Sequence, residues 1–196
     1  DIFGALPLVS GTLVSSFLAL CISVPVSVGV ALFIVELAPK RLGKMVGFLI
    51  EMLAAIPSVV YGLWGIFVLA PFLRSEFQPW VIEHFGWFPL FAGPAYGVGM
   101  FSAALILSVM ITPTISSISR EVFRAIPHSY REAAIALGAT RWETIKIAVL
   151  KTGRAGVFGA VILGLGRALG ETMAVTMLIG NRSQISASLF APAQTM

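Results

Sequence analysis

Charge is what this sequence has least of. Lys and Arg number 13 and Asp and Glu 9, so charged residues are 11% of the 196, against about 25% in ordinary soluble domains. Apolar residues reach 58% and mean hydropathy is +0.95, which excludes a soluble globular domain and leaves a membrane protein. Cysteine is limited to Cys21, which excludes a disulfide framework and a cysteine metal site. His84 has no second histidine near it in sequence, so it is not read as a metal ligand. No G-x-x-x-x-G-K-[ST] run occurs, so the chain is expected to bind no ATP and to carry no cofactor of its own.

What the chain has in quantity is apolar runs. Four are expected to span a bilayer: 13–37, 45–73, 96–117 and 155–181. The first, at 1.5 Å per residue, is ample for a hydrocarbon core of about 30 Å. Pro25 and Pro113 lie inside spans, where bends are relieved by neighbouring helices. Between Arg74 and Pro94 the sequence is expected to be too broken to span, interrupted by Pro79, Pro89 and Pro94; its six aromatics from Phe77 to Phe91 predict an interfacial segment. Glu51 falls inside the second apolar run. An intramembrane carboxylate is a functional candidate by default, and local pairing with the nearby basic loop is the competing reading.

The most informative stretch runs from Arg120 to Gly156. Ser129 and Glu132 have capping-box spacing, Thr140 and Glu143 repeat it, and Gly138 stands between them, so two short helices joined at a glycine are predicted. Net charge +4, a pI near 9.6 and seven basic residues in this stretch would suit a DNA-binding helix-turn-helix. Apolar runs on both sides make it a loop between spans instead. Three Lys or Arg follow the first span and seven follow the third, with Arg74 and Arg182 alone opposite; ten against two puts both basic loops in the cytoplasm. The chain begins with Asp1 and is expected to be an excerpt of one transmembrane domain, lacking a span at each end.

The last span carries two further signals. Gly156, Ala160, Gly164, Ala168 and Thr172 form a small-residue ridge along which another helix can approach closely. Gly164, Gly166 and Gly170 imitate a dinucleotide fingerprint, but the last gap is one residue too long and no strand precedes them. Arg167 and Glu171 are expected to pair at i, i+4 on the small-residue side, facing protein.

Glu132, Ala133, Ala134, Gly138 and Leu150 match the EAA loop of ABC-importer permeases, with Ala148 and Lys151 departing from its usual isoleucine and proline. The runs Ile56-Pro57-Ser58-Val59-Val60-Tyr61-Gly62-Leu63-Trp64-Gly65, Ile118 to Pro127 and Gly164 to Val175 narrow this further, and almost the whole chain resembles the PstC-type permeases of the bacterial phosphate importer. That resemblance implies an all-α transmembrane bundle of the type I, MetI-like class in the inner membrane, with six spans as the usual core and a cytoplasmic coupling loop at about 120–154. It implies phosphate passing Arg167 and Glu171, and an ATPase engaged through Glu132, Ala133, Ala134 and Gly138. The implied partners are a related second permease, two ATP-binding cassette subunits that hold the ATP, a periplasmic or lipid-anchored phosphate-binding protein and membrane lipid, with no nucleic acid. A permease for another oxyanion or small solute, and a membrane scaffold or regulator using the helix-turn-helix, stay open as alternatives.

Overall fold

The computed structural model describes residues 6–87, 94–182 and 188–195, and among them every regular element is helical. Four helices are long and apolar enough to cross a membrane: α1 (Pro7–Leu37), α3 (Ser58–His84), α4 (Met100–Ala125) and α6 (Arg141–Leu169). Between them lie α2 (Lys40–Ala55) and α5 (His128–Ala136), and α7 (Met173–Ile179) follows α6.

Helix boundaries depart from the hydropathy expectation where backbone chemistry intervenes. The apolar run expected to span at 45–73 is divided at Pro57, which adopts φ −59° and ψ 142°, because proline also drives the residue before it out of helical geometry. α3 begins at Ser58 and continues into the stretch expected to be too broken to span. It passes Pro71 and Pro79 because a wide π-helical turn precedes each, Gly65–Leu69 and Leu73–Phe77; such bulges absorb the hydrogen bond a proline cannot make. Phe88, Pro89 and Phe91 of the expected interfacial segment lie outside the described residues. α4 runs eight residues past its expected end at Ser117, since no breaker intervenes before Pro127.

The expected fourth span at 155–181 is not one helix. α6 stops at Leu169, residues 170–172 are non-helical, and α7 ends at Gly180 with φ +90°. Gly166 and Gly170 each weaken the helix by about 1 kcal/mol relative to alanine. Glu171 then takes the backbone N–H of Ala174 on its Oε1 at 3.2 Å, starting the next helix.

Contacts divide the chain into two compact units, one of Asp1–Ile22, Ile56–Ile111 and Leu165–Met196, the other of Ser23–Ala55 and Thr112–Gly164. In the first, α3 and α7 pack through glycine: a Cβ on Gly62 would lie 3.2 Å from Ala174 Cα. Gly99 N–H donates to Leu178 O at 2.8 Å and Phe101 N–H to Leu189 O at 2.9 Å, so residues 188–195 are stitched to the start of α4. Phe190 is buried against Phe101, ring centroids 5.9 Å apart.

The second unit has a small apolar core of Ala31, Phe123, Ile126 and Val149. Ser23 and Thr112 hydroxyls meet at 3.0 Å and Ser27 donates to Thr112 O at 3.1 Å, tying α1 to α4 beside Pro113. The small-residue ridge of α6 does what its spacing predicts. A Cβ on Gly156 would lie 2.6 Å from both Val122 methyl carbons, and one on Gly164 would lie 2.6 Å from Ile115 Cγ1. Only hydrogen at these positions lets α6 lie this close to α4.

Candidate functional site

The helical hairpin of α5 and the start of α6 is built by local signals. Gly138 has φ +83° and no atom within 4 Å of where a Cβ would stand. Ala139 N–H donates to Ala134 O at 3.1 Å and Gly138 N–H to Ile135 O at 2.9 Å, the pair of bonds that satisfies the last carbonyls of a helix ending on a left-handed residue. Thr140 then starts α6 with a complete capping box: its N–H donates to Glu143 Oε2 at 2.7 Å, and its hydroxyl accepts from Glu143 N–H at 3.4 Å. The capping box expected at Ser129 and Glu132 does not form. Pro127 occupies the N-cap with no side-chain cap and α5 starts at His128, which leaves Ser129 inside the helix and Glu132 exposed.

α5 buries no residue at all. Ile135, Leu137, Trp142 and Ile147 are all exposed, Leu137 at 89%. A concavity lined by Ala134, Leu137, Gly138, Ala139, Glu143 and Ile147 lies among them, so the residues of the EAA pattern frame an open, partly apolar surface.

The basic residues around the hairpin are mostly committed inside the chain. Arg120 pairs with Glu51 at 2.9 Å and with Glu121 at 3.3 Å, and Arg124 pairs with Glu121 at 3.2 Å. Arg131 pairs with Glu36 at 2.6 Å, Arg141 donates to the Glu36 backbone oxygen at 2.6 Å, and Lys146 stands 5.4 Å from the Trp142 ring centroid. They are not laid out as a phosphate-tracking stripe. Glu51 is thus an ion-pair partner on α2, outside the four long apolar helices. Gly47 makes room for the pairing, since a Cβ there would lie 2.7 Å from Arg120 Nη1. Glu36 was not singled out by sequence, although the rule that drew attention to Glu51 applies equally to an acid at the end of the first apolar run.

Arg167 stands before the interruption at 170–172 and Glu171 within it. Arg167 lies in the last turn of α6, where the carbonyl end of the helix favours a cation, and Glu171 lies just before α7, where N–H groups favour an anion. Arg167 is exposed, while its neighbour Ala168 on the ridge is buried. The helix ends before Glu171, so the two residues do not lie on the one continuous helix that was expected. Arg167 follows Arg154 by thirteen residues, about 20 Å along a helix, with no charged residue between them. Two separate runs of the sequence, Ile56–Gly65 and Leu165–Val175, meet in one unit, where a Cβ on Gly62 would lie 3.2 Å from Ala174 Cα.

Residues 13–194 match the family model described as "Binding-protein-dependent transport system inner membrane component". The chain is 49% identical over 198 residues to a phosphate transport system permease protein PstC of Mesorhizobium japonicum, covering 99% of this chain and 61% of that protein. It is 48% identical to the protein of the same name in Pasteurella multocida, covering 99% and 62%. The chain thus spans about three-fifths of the length of these relatives. Among solved structures, an inward-facing form of the MetNI methionine ABC transporter superposes with a TM-score of 0.58 at 22% identity, over 85% of this chain and 68% of that one; this is a likeness of fold.

Proposed function

This chain belongs to the family of binding-protein-dependent transport system inner membrane components, and on that premise we propose that it forms part of the membrane path for inorganic phosphate in an ATP-driven importer. The observation that carries the reading is Arg167, an always-charged, exposed guanidinium in the last turn of an apolar helix, just before the interruption at 170–172. A charge at the centre of a spanning helix costs at least about 2.5 to 3.5 kcal/mol when not accommodated. Its planar fork matches the oxygens of phosphate. The carbonyl end of α6 and the nearby carboxylate of Glu171 keep that attraction weak enough for release.

Hydrolysis belongs to a partner in this reading. The exposed hairpin bearing Glu132, Ala133, Ala134 and Gly138 is the docking element for an ATP-binding cassette subunit, and Leu137, Trp142 and Ile147 supply apolar contact. Ten of the thirteen Lys and Arg residues fall in the unit that contains it, and that excess supports a cytoplasmic hairpin. A second permease subunit, a second cassette subunit and a phosphate-binding protein complete the assembly, and similarity to the phosphate permeases supports that list.

The test is Arg167→Lys in the assembled complex. Losing the fork while keeping the charge removes a charge-assisted hydrogen bond worth about 1.5 to 3 kcal/mol. Labelled phosphate uptake should fall at least about tenfold while the cassette subunit still co-purifies. Unchanged uptake makes Arg167 structural, and uptake blocked by sulfate or molybdate but not by phosphate assigns the path to another oxyanion.

A further inference from the structure

The two helices of the hairpin make polar contacts that converge on one residue, while α6 is also buried one turn on through Thr144, Ile145, Ala148 and Val149. α5 buries nothing, and the apolar core beneath it ends at Ile126. Arg131, on the first turn of α5, donates from Nε at 3.0 Å and from Nη2 at 2.6 Å to a single oxygen of Glu36, and both side chains are 13% exposed. The remaining reach of the same guanidinium goes to Ile126 O at 2.8 Å and Phe123 O at 3.1 Å, carbonyls at the end of α4 that helix termination leaves without intrahelical donors. The second helix of the hairpin is attached to the same place. Arg141 donates to the Glu36 backbone oxygen at 2.6 Å, one of the orphan carbonyls at the end of α1. Glu36 sits in the wide turn Phe33–Leu37 that closes α1.

We propose that Glu36 is the positioning residue of the hairpin: its carboxylate holds α5 and its carbonyl holds α6, so displacement of the hairpin is passed to α1 through this residue. The proposal rests on the reading of the hairpin as the ATPase-docking element. Geometry favours transmission over simple packing, because apolar packing resists separation gradually whereas two charged groups at 2.6 Å resist both pulling and turning. A fixed guanidinium bound to four acceptors, Glu36 Oε1 and the carbonyls of Phe123, Ile126 and Pro127, has one orientation available. A cavity of about 270 Å³ lined by Ile34, Val35, Glu36, Arg124, His128 and Arg131 borders the pair, which gives water access to it if it opens. A dry pair would strand a charge on opening; this one need not.

The experiment uses the full complex in lipid nanodiscs, with Glu36→Gln, Arg131→Gln and the double variant. Amide exchange at Leu137, whose N–H closes the end of α5 on Ala133 O at 3.2 Å, should rise about tenfold in each single variant and no further in the double, as for two residues acting through each other. Arg131→Lys, which keeps the charge and loses the fork, should fall between, and it serves if a Gln variant does not fold. The ATP hydrolysed per phosphate moved should rise at least about fivefold in Glu36→Gln with the cassette subunit still bound. Unchanged α5 exchange, or additive effects in the double variant, overturns the positioning role. An unchanged ATP-to-phosphate ratio overturns transmission. If exchange rises as stated but the unsubstituted complex moves no phosphate, the positioning role stands and the substrate reading fails.

Discussion

Gly138→Ala isolates one term of the hairpin's stability. A Cβ at this position meets nothing within 4 Å, so no clash contributes, and the whole cost comes from forcing an L residue to φ +83°. The left-handed conformation costs a non-glycine residue about 1 to 2 kcal/mol, which is a factor of about 5 to 30 in a local equilibrium. The bond that reports it is Ala139 N–H to Ala134 O at 3.1 Å, which exists only while the turn is closed. Amide exchange at Ala139 in the assembled complex should therefore accelerate by about 5- to 30-fold in Gly138→Ala. Gly138→Asn should accelerate it less, since asparagine visits this conformation more readily, and Gly138→Val more. Transport should follow the same order. Unaltered exchange in Gly138→Ala would refute the conformational argument. Loss of transport in Gly138→Asn equal to that in Gly138→Val, with exchange unchanged, would instead show that any side chain here obstructs the docked partner.

Two further outcomes test packing and orientation. Gly156→Ala places a methyl 2.6 Å from two Val122 carbons whereas Gly159→Ala meets nothing within 4 Å, so the first should destabilise by about 1 to 3 kcal/mol and the second should leave the thermal midpoint of the purified complex level or raised; equal midpoints would contradict the α4–α6 packing. With Cys21 replaced, a cysteine at Lys44 should be shielded from an impermeant thiol reagent in intact cells and one at the exposed Glu83 should react, and labelling at Lys44 in sealed cells would reverse the proposed orientation.

How far the sequence could be read depended on the range over which each signal acts. Scarce charge and long apolar runs bound the chain to an all-helical membrane class, because hydropathy is summed over twenty residues and needs no partner. The turn at Gly138, the cap between Thr140 and Glu143 and the small-residue ridge of α6 were equally legible, each being settled within a few residues of backbone or along one helical face. Other local signals were misleading because neighbours competed for the same backbone. Pro127 took the N-cap that Ser129 was expected to hold. Pro71 and Pro79 lie within a helix while Pro57 begins one, and the difference is the wide turn that precedes each of the first two.

What only the tertiary structure decided is which charges meet. Glu51 and Arg120 stand 69 residues apart and Glu36 and Arg131 stand 95 apart, so no periodicity or spacing relates them. The interruption after Leu169 likewise leaves Arg167 at the end of α6 and Glu171 just before α7, where one continuous helix was expected. An ion pair in a poorly solvated place is stable only where both partners arrive together. That arrival is a property of how α1, α4 and the hairpin pack, and it is absent from any single stretch of chain.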